Sequence, residues 1–207
     1  LHGADVAAVA DSLMQICENY PAPALNCAMN FLSTHDTERA ITAIAGEPCN
    51  NRDRYWQSKR SIPSGLMDAA IRRLLLGYAM IFTLPGVPCI YYGDEIAMQG
   101  YRDPFNRAFF DWNCTEQRLR GPLKTLAHLR KSCDAFDGGR LEIVRADGDV
   151  LHYRRVGKEQ SAEIILNNGP HLIVRTAFGK QTEVNPGGFT ILVEDNQPQH
   201  VGYFKYY

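Results

Sequence analysis

The chain has 207 residues, 45% of them apolar and 22% charged, with a formal net charge of −1. That is an ordinary globular composition with enough apolar material for a packed core. With no evident basic cluster or long acidic run, nucleic acid and an anionic membrane are excluded as expected partners, and a neutral one fits better. Six cysteines lie scattered without a C-x-x-C pair or close His spacing, so neither a metal site nor a cofactor is expected. Free thiols in that number point to a reducing compartment, and the expected location is cytoplasmic.

Leu1-His2-Gly3-Ala4 shows no signal-peptide pattern of charged, apolar and small-residue regions. Val6, Val9, Leu13 and Ile16 recur by three and four, which predicts an amphipathic helix over residues 6–18, stopped by Tyr20-Pro21-Ala22-Pro23. Residues 24–32 are largely apolar and of strand length, which predicts a strand buried on both faces. Residues 43–65 are polar and punctuated by Gly46, Pro48, Asn50-Asn51 and Pro63-Ser64-Gly65, predicting a long irregular surface excursion. A mostly buried helix is predicted over 66–84 and a second buried strand over 87–92. Residues 74–93 carry no charge, a length that admits a membrane span of about twenty residues, but Pro85-Gly86 and Pro88 divide it into helix and strand.

Beyond a Gly-Pro-rich loop, Pro122 stands in the first turn of a helix carrying Leu119, Leu123, Leu126, Leu129 and Cys133, closed by Gly138-Gly139. Helix, strand, helix, strand, helix is the order of parallel βα units. From there the apolar residues come in short β-rich runs over 141–144, 150–153, 163–166, 172–174, 189–193 and 201–204, separated by turn signals. Regular spacing of that kind predicts an antiparallel β-sandwich. The expected boundary lies near residues 136–139, dividing the chain into 1–136 and 137–207. Tyr203-Phe204-Lys205-Tyr206-Tyr207 is read as a closing strand.

The stretch Phe31-Leu32-Ser33-Thr34-His35-Asp36-Thr37-Glu38-Arg39 puts a His-Asp pair where a strand hands over to a loop, the position of catalytic groups in parallel α/β barrels. A carboxylate there can stabilise a developing positive charge, accept a proton, or cap the loop. An isolated His at a strand end is more often a packing residue. Asp103 and Arg107, four apart in a loop, pair charge to brace the loop or to bind hydroxyls. Gly93-Asp94-Glu95 offers adjacent acids that point opposite ways on an extended chain, and is read as structural. Tyr101 and Phe105 are the aromatic residues expected to line a cleft.

Taken together, Glu18-Asn19-Tyr20-Pro21, Asn30-Phe31 through His35-Asp36-Thr37-Glu38-Arg39, Val87 through Gly93-Asp94-Glu95 and Asp103-Pro104-Phe105-Asn106-Arg107 resemble the α-amylase family, glycoside hydrolase family 13. The likeness is strongest to its neopullulanase, cyclomaltodextrinase and maltogenic amylase group. The resemblance implies that residues 1–136 are the C-terminal part of a (β/α)8 TIM barrel, about strands seven and eight with their helices, followed by the sandwich. It implies that Asp36 stabilises the oxocarbenium-like transition state of a retaining α-glucan hydrolase and that His35 bonds glucose hydroxyls. Asp103 and Arg107, with Tyr101, would bind a neighbouring glucose of an α-1,4-linked oligosaccharide.

Retaining hydrolysis also needs a nucleophile and an acid/base carboxylate about 5 Å apart. The family takes these from the fourth and fifth strands, to which no residue here corresponds. The chain alone is therefore expected to be inactive, to need the missing N-terminal part of the same protein, and to self-associate through open strand edges. The alternative expectation is a noncatalytic glycan-binding or interaction module that has kept one side of the cleft.

Overall fold

The computed structural model describes residues 5–196 and 201–206. The segment read for a signal peptide, Leu1-His2-Gly3-Ala4, and Tyr207 of the closing strand lie outside them. Helix α1 (Val6–Asn19) begins where the Asp5 carboxylate accepts the Ala7 N–H at 3.0 Å, a side-chain cap on an otherwise orphaned donor. The next element departs from expectation. Residues Ala22–Cys27 form the short helix α2, because Pro23 in the first turn starts a helix as readily as Pro21 ends the one before. Only Met29–Asn30 remain as strand β1.

The excursion after β1 carries two short helices, α3 (Ala40–Ala45) and α4 (Arg54–Ser58), the latter capped by Asp53 Oδ1 accepting the Trp56 N–H at 2.7 Å. Helix α5 (Ser64–Thr83) is buried almost all round from Leu74 onward, as its uncharged sequence requires. It ends where Leu84, preceding Pro85, turns extended. Strand β2 (Val87–Pro88) pairs in parallel with β1. Gly86, at φ +102°, lets the chain pass so close that a Cβ there would lie 2.6 Å from the Ala28 carbonyl. The expected strand over 87–92 is this short because, among the described residues, β1 is its only neighbour.

After helix α6 (Arg120–Ser132) come β3 (Arg140–Asp147), β4 (Val150–Val156), β5 (Gln160–Asn167), β6 (Ile173–Ala177), β7 (Lys180–Val184), β8 (Phe189–Asp195) and β9 (Val201–Tyr206). Five of these make one antiparallel sheet in the order β3-β4-β5-β8-β9, and β6-β7 make a separate hairpin. Strand β7 was not anticipated: Lys-Gln-Thr-Glu-Val is polar and buries only Thr182 and Val184.

Alternation along the strands sorts the two faces. Leu151, Tyr153, Ala162, Ile164, Leu166, Phe189 and Ile191 join Leu74, Tyr78, Leu123 and Leu126 of the helices in one continuous core. Val150, Ile165 and Leu192 face the hairpin residues Ala177 and Val184 in a smaller one. The sheet thus lies between a helical layer and a hairpin, and the larger core crosses the expected boundary.

Two arginines close the end of α5, one of them reaching across that junction. Arg155, buried on β4, donates through Nη1 to the Thr83 carbonyl at 2.6 Å and through Nη2 to the Gly139 carbonyl at 2.8 Å. Arg130 of α6 donates to the carbonyls of Phe82, at 2.7 Å, Leu84 and Gly86. The carbonyls that the end of α5 leaves without helical partners are thereby satisfied by cations, which the helix dipole also favours there.

Candidate functional site

The parallel pairing of β1 and β2 sends their following loops, residues 31–39 and 89–107, off the same end. In the first loop, Asp36 N–H donates to Thr34 Oγ1 at 3.1 Å and Thr34 N–H to Thr37 Oγ1 at 3.2 Å, a local turn that presents the Asp36 carboxylate outward. In the second, Arg107 Nε lies 3.0 Å from Asp103 Oδ1 and donates to the His35 carbonyl at 3.1 Å. The same guanidinium reaches Asp36 Oδ1 at 3.8 Å, and His35 Nε2 stands 3.3 Å from Asp36 Oδ2.

His35, Asp36, Asp103 and Arg107, expected from sequence as site residues, therefore form one cluster. Their side chains are open to solution, that of Asp36 at 73% and that of His35 at 66%. Exposed ion pairs of this sort add little stability; the arrangement presents an accessible carboxylate with an imidazole and a guanidinium beside it. Such a group can accept hydrogen bonds from hydroxyls or stabilise a nearby cation.

Beneath it lies a buried floor. Asp94, in the turn after Gly93 (φ +87°), is 1% exposed and accepts the Tyr78 hydroxyl at 2.6 Å and Arg39 Nη1 at 3.3 Å. Burial pushes its carboxyl up, against the opposing pull of Tyr78, Ser33 and Arg39. Arg39 is fully buried, with its guanidinium 4.8 Å from the ring centres of both Tyr91 and Tyr92 and Nη1 donating to the Tyr92 carbonyl at 2.7 Å. The Gly-Asp-Glu turn accordingly holds its Asp inside the fold.

Tyr101 requires a correction. It was expected on a cleft wall, yet it is 3% exposed, with its hydroxyl donating to the Glu47 carbonyl at 2.8 Å and its ring edge-on to Trp56. The excursion carrying Glu47 and Trp56 folds over it and leaves no face for a ligand. Phe105 is half-buried.

Asn106 went unnoticed in the sequence although it lies between Asp103 and Arg107. It is fully buried, and Nδ2 donates to the carbonyls of His35 at 2.8 Å and Thr37 at 2.7 Å, on either side of Asp36. An uncharged residue at the centre of a charged loop was the available signal. Arg39, visible in the His-Asp motif, carried no assigned role.

Among the described residues no group of three or more His, Cys, Asp or Glu is placed to hold a metal ion, and no helix is long and apolar enough to cross a membrane.

No protein-family model matches the chain. It is 31% identical over 188 residues to an amylopullulanase of Thermoanaerobacter thermohydrosulfuricus, covering 89% of this chain and 12% of that protein. A cyclomaltodextrinase of Geobacillus thermopakistaniensis (strain MAS1) is 32% identical over 162 residues, covering 76% of this chain and 24% of that one. Among solved structures, a cyclic α-maltosyl-(1→6)-maltose hydrolase from Arthrobacter globiformis superposes with a TM-score of 0.76 at 26% identity, over 94% of this chain and 40% of that chain. The chain thus spans well under half the length of these proteins. The matches agree with one another: the chain belongs to the α-amylase family, glycoside hydrolase family 13, in the group of amylopullulanases, cyclomaltodextrinases and maltogenic amylases.

Proposed function

We propose that this chain supplies one wall of the active site of a retaining α-glucan hydrolase or transglycosidase acting on α-1,4-glucosidic bonds, in the cytoplasm. Residues 1–136 are the part of its (β/α)8 barrel that includes strands seven and eight, and residues 137–207 its C-terminal antiparallel domain. The observation that carries this reading is the convergence of His35-Asp36 with Asp103 and Arg107, across about seventy residues of sequence, around one open carboxylate.

Asp36 is the transition-state stabiliser, its negative charge opposing the positive charge that develops on the glucose ring. His35, Asp103 and Arg107 bind hydroxyls of the sugar at and beside the cleaved bond. The nucleophile and the acid/base carboxylate come from the rest of the protein, and the chain by itself is inactive.

The test is release of reducing sugar from maltooligosaccharides, by the chain alone and by the same chain joined to the barrel portion that its relatives carry. The chain alone is expected to be silent. In the joined protein Asp36→Asn is expected to lower kcat by at least about a hundredfold, as removal of a preorganised electrostatic group does. Turnover by the isolated chain that Asp36→Asn abolishes overturns the division of labour. Tight binding of β-cyclodextrin by the isolated chain, with no turnover in the joined protein, favours a glycan-binding module instead.

A further inference from the structure

The segment around α4 holds a feature unrelated to the His35–Asp36 cluster. Its composition predicts a long irregular surface excursion, of a length that is often functional, with no basic cluster in the chain. The fold changes that by curling residues 52–60 around a hollow of about 390 Å³ lined by Arg52, Asp53, Tyr55, Trp56, Lys59 and Arg60.

The aromatic rings here set out cations. The guanidinium carbons of Arg52 and Arg60 stand 5.4 and 5.1 Å from the centre of the same Trp56 ring, and Lys59 Nζ stands 5.7 Å from that of Tyr55. Contacts of this type attract a cation to a ring and restrict its side chain without neutralising it. Trp56 is itself fixed, packing edge-on against the buried Tyr101 at 5.5 Å, and Ile62 N–H donates to Gln99 Oε1 at 2.7 Å just beyond. The platform is therefore pinned to the protein body at two points.

Countercharge is incomplete, with two carboxylates beside three cations. The Asp53 carboxylate accepts the Trp56 N–H as the cap of α4, and Glu47 pairs with Arg60 at 3.2 Å, both side chains about half exposed. Among the described residues neither Arg52 nor Lys59 has an ion-pair partner. Three cations held around one hollow repel one another, and a compact, highly charged anion seated among them relieves that cost.

We propose that this hollow binds a phosphate-monoester dianion, with Arg52, Lys59 and Arg60 as its donors. Guanidinium groups suit a phosphate because their paired N–H groups match its oxygens, and the lysine adds a point charge. Two guanidinium groups already lie against the Trp56 ring, so the cations rather than that ring are offered to a ligand, and the phosphate is the recognised group. It can arrive as free phosphate or borne on a sugar.

Titration of the full chain, by calorimetry and by Trp56 fluorescence in a Trp112→Phe background, tests this with inorganic phosphate, glucose 6-phosphate, maltotriose, and sodium chloride at matched ionic strength. Saturable binding of one or both phosphates is expected, with no response to maltotriose or chloride. Arg52→Ala combined with Lys59→Ala is expected to weaken it at least about tenfold, the worth of one charge-assisted hydrogen bond. Lys59→Arg, which keeps charge and donor, is expected to retain it. Equal affinity for the two phosphates assigns the site to free phosphate, and tighter glucose 6-phosphate assigns it to a sugar phosphate. A phosphate response no larger than that to chloride, or one unchanged in the double variant, overturns the proposal.

Discussion

Arg155 Nη1 donates to the carbonyl of Thr83 at 2.6 Å, so a buried cation on the sheet closes the end of the longest helix. Burial pushes the Arg155 guanidinium down to about 10, still protonated at neutral pH. Arg155→Ala is expected to strand the Thr83 and Gly139 carbonyls and leave a cavity, at about 1 to 3 kcal/mol for each unsatisfied group. Arg155→Lys, able to reach one carbonyl, should lose less. Urea midpoints of the two variants check the ranking; an alanine variant as stable as the parent contradicts it.

Asn106 offers a separate test of the loop that presents Asp36. Asn106→Ala is expected to free the His35 and Thr37 carbonyls, at about 1 to 3 kcal/mol, and to speed hydrogen exchange of amides in residues 34–38. Asn106→Asp should be worse, since an ionised carboxylate cannot donate and would face two carbonyl oxygens. If exchange in that loop is unmoved while the rest of the protein loosens, Asn106 is a packing residue and not a clamp.

Glu163 sits 2% exposed between the sheet and the β6-β7 hairpin, accepting from Arg154, with His152 Nε2 2.8 Å from its Oε2. Burial raises its pKa, but the bonds from His152 and Arg154 outweigh it and hold the carboxyl below its ordinary 4.5. A folded value below the unfolded one means stability that is fully present above the unfolded pKa and is lost as pH falls through the folded one. The melting temperature should therefore drop as pH falls through and below the ordinary carboxyl value of 4.5, with a smaller drop in Glu163→Gln. An identical slope in the two proteins removes Glu163 as the source.

Self-association is the fourth expectation. Met29, Phe31 and Val87 are 62%, 49% and 47% exposed on or next to a two-stranded sheet, and open strand edges with apolar neighbours pair with other chains. Light scattering at micromolar concentration should report oligomers that shrink on combining Met29→Lys with Val87→Lys. A clean monomer of the parent chain would falsify this.

Much of the molecule was legible because the signal was local. The three-and-four spacing of Val6, Val9, Leu13 and Ile16, the uncharged run before Pro85-Gly86, and the short β-rich runs after Gly139 each announce an element from a few neighbouring residues. The His35-Asp36 pair was legible in the same way, as polar groups just after an apolar run, and Asp103 and Arg107 as opposite charges four apart in a loop.

What sequence could not supply depended on which distant segment lies alongside. Residues 24–32 and 87–92 have strand composition, yet a strand exists only where a partner completes its hydrogen bonds, and here that leaves Met29–Asn30 and Val87–Pro88. Tyr101 looked ligand-facing until the excursion folded over it and Trp56 packed against its ring. Sequence by itself determined the family, the type of most elements and which charged residues to look for as a cluster, since periodicity and motif are properties of the chain. Tertiary structure alone decided burial, clamping and capping, because the cost of an unpaired carbonyl or an uncovered ring is set by neighbours far away in sequence.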